Sequence, residues 1–144
     1  MSTNVMELGT DLLRILIVDD QEPVRRALRG LLRTQPTFEL CGEAQDGLEA
    51  VEKARELKPQ VVLMDVSMPR LDGLEATRQI LKALPETEVL ILTQHDSEQA
   101  ARAAKDAGAR GYLSKSDARY LISAVETVSR HIPFFPSKFP PATQ

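Results

Sequence analysis

Ile15-Leu16-Ile17-Val18-Asp19-Asp20 and Val61-Val62-Leu63-Met64-Asp65 decide the fold of this chain, because each is a short apolar, β-branched run that ends in carboxylate. Runs of four to six such residues read as strands buried on both faces, the kind found in parallel sheets. In a parallel sheet all strands point the same way, so acids that follow two strands emerge at one edge and meet there. Crowded carboxylates repel one another unless a cation neutralises them. The first expectation is an acidic, metal-binding pocket.

Outward from these two runs the pattern repeats as βα units. Strands are expected at about Arg14 to Val18, Phe38 to Ala44, Val61 to Met64, Glu88 to Leu92 and Gly111 to Ser114. Helix one begins near Pro23 and lines up Val24, Leu28, Leu31 and Leu32. Helix two follows the cap Asp46 with Leu48, Val51 and Ala54 inward, and stops before Pro59. Helix three runs from about Gly73 to Leu84, ending before Pro85. Helix four, Ser97 to Ala107, offers only Ala100, Ala103, Ala104 and Ala107, with Gly108 closing it. So small a face fits close packing against the sheet or a mobile element. Helix five is expected over Asp117 to Arg130 with Leu121, Ile122, Val125 and Val128 inward.

Right-handed crossovers leave 2-1-3-4-5 as the simplest strand order. The fold class is therefore α/β, a single flavodoxin-like (βα)5 three-layer sandwich, with Asp19, Asp20 and Asp65 at the switch-point crevice. Thr93 follows the fourth strand and Lys115 the fifth. Mg2+ takes oxygen ligands and keeps several waters, which suits two or three carboxylates plus a phosphoryl oxygen. A lysine neutralises another oxygen and a threonine hydrogen-bonds a third. This set describes phosphoryl transfer to a carboxylate.

Composition narrows the class further. The chain has 144 residues, room for one domain, with a net charge of -3. Its Lys and Arg are interspersed with acids, so no nucleic-acid surface is expected. The single cysteine, Cys41, is expected reduced in a cytoplasmic core. No signal peptide or run of about 20 apolar residues is found, so no membrane partner is expected. The domain reading is a loose arm over 1–12, the folded βα unit that carries the acidic pocket over 13–131, and a Pro/Phe-rich tail or linker over 132–144.

The fragments I-L-I-V-D-D (15–20), L-M-D-V-S-M-P (63–69) with L-D-G (71–73), I-L-T (91–93) and G-A-R-G-Y-L-S-K (108–115), in this order after successive strands, resemble the receiver domain of two-component response regulators. T-Q-H-D with G-A-R-G-Y-L-S-K resembles most the NarL/LuxR-type receivers that precede a helix-turn-helix domain. The resemblance implies that Asp65 is the phosphoacceptor and that Asp20, Asp65 and the Ser67 backbone carbonyl bind Mg2+, with Asp19 helping indirectly. It implies that Thr93 and Lys115 hold the phosphoryl group, and that Tyr112 reports the switch state of Thr93. It also implies a histidine kinase as donor, an output domain or partner protein controlling transcription, a partner surface on the face of helix four, strand five and helix five, and a possible homodimer. Ser116 stands where many members have proline, and Gln94, where many keep a small residue, is expected with Ser67 and His95 to tune rates. His95 alone reads more readily as an exposed loop residue than as a metal ligand.

Two other classes compete. A Mg2+-dependent aspartyl phosphatase wants a D-x-D spacing after the first strand, whereas Asp19 and Asp20 are adjacent. A flavin or nucleotide carrier wants a Gly- or Ser-rich phosphate loop, whereas Asp-Asp-Gln-Glu-Pro follows here. Phe134, Phe135 and Phe139 lie in the tail, where docking on helix five or a partner and a partly disordered linker both fit.

Overall fold

A computed structural model describes residues 12–66, 68 and 71–135. The chain alternates β1 (Leu13–Val18), α1 (Glu22–Leu32), β2 (Phe38–Ala44), α2 (Gly47–Leu57), β3 (Val61–Asp65), α3 (Gly73–Ala83), β4 (Glu88–Thr93), α4 (Glu98–Asp106) and β5 (Gly111–Ser114), then a 3-10 segment (Lys115–Tyr120) and α5 (Leu121–Ser129). All strand pairs are parallel and the sheet order is β2-β1-β3-β4-β5. This is the order expected from the sequence.

The central strands β1, β3 and β4 are mostly apolar because each face of the sheet carries its own helix layer. Leu16, Val18, Val62, Met64, Val89, Ile91 and Tyr112 pack with Ala50, Ala54, Ala76, Ile80 and Ala104 of α2, α3 and α4. The alternate residues Ile15, Ile17, Val61, Leu63, Leu90, Leu92 and Leu113 pack with Leu32 of α1 and Leu121, Ala124, Val125 and Val128 of α5. Each buried Leu or Ile side chain contributes roughly 1.5–3 kcal/mol, so the two cores fix the register of every strand. The strand ends that carry Asp19, Asp65, Thr93 and Lys115 are thereby set side by side.

Caps decide where the helices begin. The Asp46, Asp72 and Ser97 side chains accept from the backbone N–H of Glu49, Glu75 and Ala100, each satisfying an otherwise unpaired donor. Gly108, at φ 102, turns the chain out of α4.

Two expectations are corrected. Leu48 is 44% exposed; the inward stripe of α2 is Gly47, Ala50, Val51 and Ala54. A Cβ at Gly47 would lie 2.0 Å from the Leu71 carbonyl oxygen, so the loop before α3 rests on the glycine and turns Leu48 outward. Helix five does not start at Asp117. The Ser114 side chain accepts from the Ser116 N–H, a 3-10 turn follows with non-helical Asp117 (φ -107, ψ 38), and α5 proper begins at its first buried residue, Leu121.

Past α5, His131 pairs with the buried Glu88. The Tyr112 N–H then donates to the Phe134 carbonyl at 2.9 Å and the Phe134 N–H to the Arg110 carbonyl at 3.0 Å, and the Phe135 ring sits 5.0 Å from the Lys105 Nζ. Residues 134 and 135 thus lie along the β5 edge. Phe139, and residues 1–11 of the expected arm, lie outside the described residues. No helix among the described residues is long and apolar enough to cross a membrane.

Candidate functional site

The carboxyl ends of β1, β3, β4 and β5 converge on a cleft of about 260 Å3 lined by Asp20, Gln21, Asp65, Thr93, Gln94, His95 and Lys115. Asp19 lies beneath, 1% exposed. Carboxylate oxygens of Asp19, Asp20 and Asp65 lie within 4.8 Å of one another. Asp19 and Asp65 are buried while Asp20 is exposed, so the trio opens to solvent on one side only. Such a set, rich in hard oxygen and open on one side, fits a cation of the Mg2+ or Ca2+ type that keeps part of its water shell. Ser67, the other residue expected here, lies outside the described residues.

Lys115 bridges the pair of buried acids. Its Nζ lies 2.8 Å from Asp19 Oδ2 and 3.1 Å from Asp65 Oδ1. Burial pushes the Asp65 carboxyl up from its ordinary value, the Asp19 charge adds to this, and Lys115 offsets part of it. For Lys115, burial acts to lower the pKa, but its bonds to Asp19 and Asp65 prevail and hold the ammonium above its ordinary value. The site therefore holds a firmly protonated lysine against carboxylates that repel each other.

The β1–α1 turn is fixed from three sides. The Asp19 N–H donates to the Ala44 carbonyl at 3.0 Å, the Gln21 N–H donates to Asp19 Oδ1 at 2.9 Å, and Arg25 Nη1 donates to the Asp19 carbonyl at 2.6 Å. Below Asp65, the N-terminus of α3 comes so close that a Cβ on Gly73 would lie 2.0 Å from the Asp65 carbonyl oxygen. The Gly73 N–H donates to the Val66 carbonyl at 3.0 Å.

Thr93 is buried, and its hydroxyl accepts from the His95 N–H at 3.1 Å. His95 and Gln94 are exposed at the cleft rim. Tyr112 is 4% exposed; its hydroxyl donates to Asp96 Oδ1 at 2.8 Å and accepts from the Ser97 N–H at 3.2 Å. Burial, then the bond to Asp96, pushes the phenol up to about 12. The tyrosine thus ties β5 to the N-terminus of α4, and Thr93 is tied to the loop between them.

The structure brings Asp19, Asp20, Asp65, Thr93, Gln94, His95 and Lys115 together, with Tyr112 on the far side of the β4–α4 loop. The sequence reading missed Arg25 and Asp96 as partners of this site. Asp96 stands inside the quoted T-Q-H-D fragment, which was its only signal. Arg25 had none beyond its place one helical turn into α1.

Comparison with known proteins agrees with this geometry. The sequence profile of the response regulator receiver domain matches residues 15–126. The transcriptional regulatory protein LiaR of Bacillus subtilis is 40% identical over 128 residues, covering 88% of this chain and 61% of its own. The response regulator protein VraR of Staphylococcus aureus is 43% identical over 119 residues, covering 82% and 57%. The chain thus spans less than two thirds of the length of these curated relatives. Among solved structures, a LuxR-family two-component response regulator from Aurantimonas superposes with a TM-score of 0.82 at 36% identity, covering 85% of this chain and 89% of that one. The receiver domain of NarL from Mycobacterium tuberculosis gives 0.78 at 28% identity, covering 83% and 98%. With its strand order, its acidic cleft and these relatives in agreement, the chain belongs to the response regulator receiver domain family, on the NarL/LuxR side of it.

Proposed function

We propose that Asp65 accepts a phosphoryl group from the phosphohistidine of a sensor histidine kinase. The observation that carries this reading is the Lys115 bridge, 3.1 Å from Asp65 Oδ1 and 2.8 Å from Asp19 Oδ2, in a cleft open to solvent above Asp65. An Asp65 oxygen bonds to phosphorus as the donor's N–P bond breaks, and the imidazole nitrogen departs with the bonding pair. Lys115 lies where it pairs with one oxygen of the incoming group, and Thr93, released from the His95 N–H, reaches another. Asp20 and Asp65, with the Ser67 carbonyl and indirect help from Asp19, would hold Mg2+, which when bound neutralises phosphoryl charge. Hydrolysis restores the carboxylate: water attacks phosphorus, the P–O bond to Asp65 breaks and inorganic phosphate leaves. Gln94 and His95 line the cleft that this water enters, and with Ser67 they tune the rate. The protein is on this reading a phosphoacceptor that catalyses its own transfer and dephosphorylation, with no other substrate.

The output is read from Thr93 and Tyr112. Withdrawing the Thr93 hydroxyl from His95 frees the loop that carries Asp96, the partner of Tyr112. That change alters the face of α4, β5 and α5, where a second copy or an output partner docks, because a switch acts only through contacts that differ between its states. Residues 13–131 are read as the receiver unit and the segment from 132 as a tail or the start of a linker, with the output carried by a further domain or a separate partner, in a cytoplasmic regulator of transcription. Incubation with a small phosphodonor and Mg2+, followed by intact mass, tests the acceptor. Wild type gains one phosphoryl group and Asp65→Asn gains none; equal labelling of both sinks the assignment.

A further inference from the structure

We infer that Arg25 is a positioning residue for the cation site, acting through the Asp19 backbone carbonyl to aim Asp20; this rests on the reading of the cleft as a Mg2+ site. Asp20 is the exposed member of the acidic trio and forms no hydrogen bond or ion pair with any described residue. Where its carboxylate can reach is therefore governed by how its backbone is held. Upstream, the Asp19 N–H is held by Ala44, and the peptide linking Asp19 to Asp20 is held through its carbonyl by Arg25 Nη1 at 2.6 Å. Among the described residues this is the only side chain that bonds that carbonyl.

Arg25 is suited to the task because its guanidinium is fixed in all directions. Its Nε donates to Glu43 Oε1 at 3.0 Å and its Nη2 to Glu22 Oε1 at 2.8 Å, and the side chain is 14% exposed. A rigid planar fork loses less freedom per bond than a lysine would. The two acids also balance its charge, so a cation bound nearby is not repelled by an uncompensated guanidinium. Arg29 shares both acids, bonding Glu43 Oε2 at 2.7 Å and Glu22 Oε2 at 3.2 Å, but has no bond to Asp19. The two arginines thus form a built-in comparison.

Charge and positioning predict opposite signs. Removing a positive charge beside an acidic cleft strengthens cation binding if only charge counts. Removing a bond that orients a ligand-bearing peptide weakens it, by about tenfold or more for outer-shell partners of metal ligands. The experiment is calorimetric titration of wild type, Arg25→Ala, Arg25→Gln, Arg29→Ala and Asp20→Asn with MgCl2, with urea denaturation of each to establish folding. Arg25→Ala and Arg25→Gln are expected to bind Mg2+ about tenfold more weakly, and Arg29→Ala as tightly as wild type or more so. Equal or tighter binding in both Arg25 variants overturns the inference, as does equal weakening in Arg25→Ala and Arg29→Ala. Wild type that fails to bind Mg2+, or that matches Asp20→Asn, overturns instead the cation site on which it rests. If Arg25→Ala does not fold, Arg25→Gln, which keeps a polar side chain with part of the aliphatic stem and loses the fork, decides.

Discussion

Lys115, directly after the last strand, and Asp19, directly after the first, are joined by a 2.8 Å ion pair across 96 positions of sequence. β1 and β5 are not neighbours in the sheet, since β3 and β4 lie between them. The lysine therefore reaches past the carboxyl ends of β4 and β3, beside Asp65, and the sheet order is what makes the contact possible.

That geometry makes Lys115 the counter-charge of two buried acids. Lys115→Met leaves Asp19 and Asp65 uncompensated, at a cost of about 2 kcal/mol in the absence of divalent cations; this is below the full penalty of a broken buried pair because the lysine side chain is 18% exposed. Added Mg2+ recovers part of the loss. Urea denaturation with and without MgCl2 checks both, and an unchanged midpoint contradicts the counter-charge role.

Asp65→Asn stabilises the cation-free protein at neutral pH. The Asp65 carboxyl is pushed up chiefly by burial, then by Asp19, so the folded chain holds this proton more tightly than the unfolded chain does. Its contribution is greatest below the unfolded value and is lost as pH rises through the folded one. At pH 7 the ionised group is a net cost that Asn removes. The advantage of the variant is expected to shrink as pH falls into the acid range and to reverse when Mg2+ is added. Denaturant midpoints across pH with EDTA present test this; an advantage that does not depend on pH contradicts it.

Tyr112 titrates near 12, so its contribution to stability is present below the ordinary tyrosine value of about 10 and is lost between there and 12. In a Tyr120→Phe background, tyrosinate absorbance reports Tyr112 alone. Asp96→Asn lowers that midpoint by removing both the accepting carboxylate and its charge. A midpoint that stays put shows that burial alone holds the phenol.

Two glycines respond oppositely to alanine. At Gly73 the new methyl would lie 2.0 Å from the Asp65 carbonyl oxygen, so α3 and the Asp65 loop must separate at about 2 kcal/mol or more, with Mg2+ affinity falling too. At Gly30, inside α1 with nothing within 4 Å, alanine stabilises by about 0.5–1 kcal/mol through helix propensity. Thermal melts of the two variants should move in opposite directions.

Much of this was legible in the sequence because strong local patterns carry it. The two apolar runs ending in Asp19-Asp20 and Asp65 mark strands buried on both faces, and their common direction brings the acids together without any further information. Leu48 was misread because an apolar residue in helical spacing ordinarily faces inward, while here Gly47 takes that place to admit the Leu71 backbone. The start of α5 lies later than the expected Asp117 because Ser114 already caps a 3-10 turn and the first buried anchor is Leu121. Arg25 on the Asp19 carbonyl, Asp96 on Tyr112 and His131 on Glu88 were not legible at all. Each is one hydrogen bond or ion pair whose geometry depends on how two elements pack, and polar residues on a helix or loop do not announce such partners.

Asp65, and no other acid of the cleft, is expected to carry the phosphoryl group. The most direct test is to phosphorylate the protein with a small phosphodonor and Mg2+, reduce the acyl phosphate with borohydride and map the modified residue by peptide mass spectrometry. Reduction of residue 65 to homoserine is expected, with Asp19 and Asp20 unmodified. Homoserine at 19 or 20, or none anywhere despite a gain in intact mass, would contradict it.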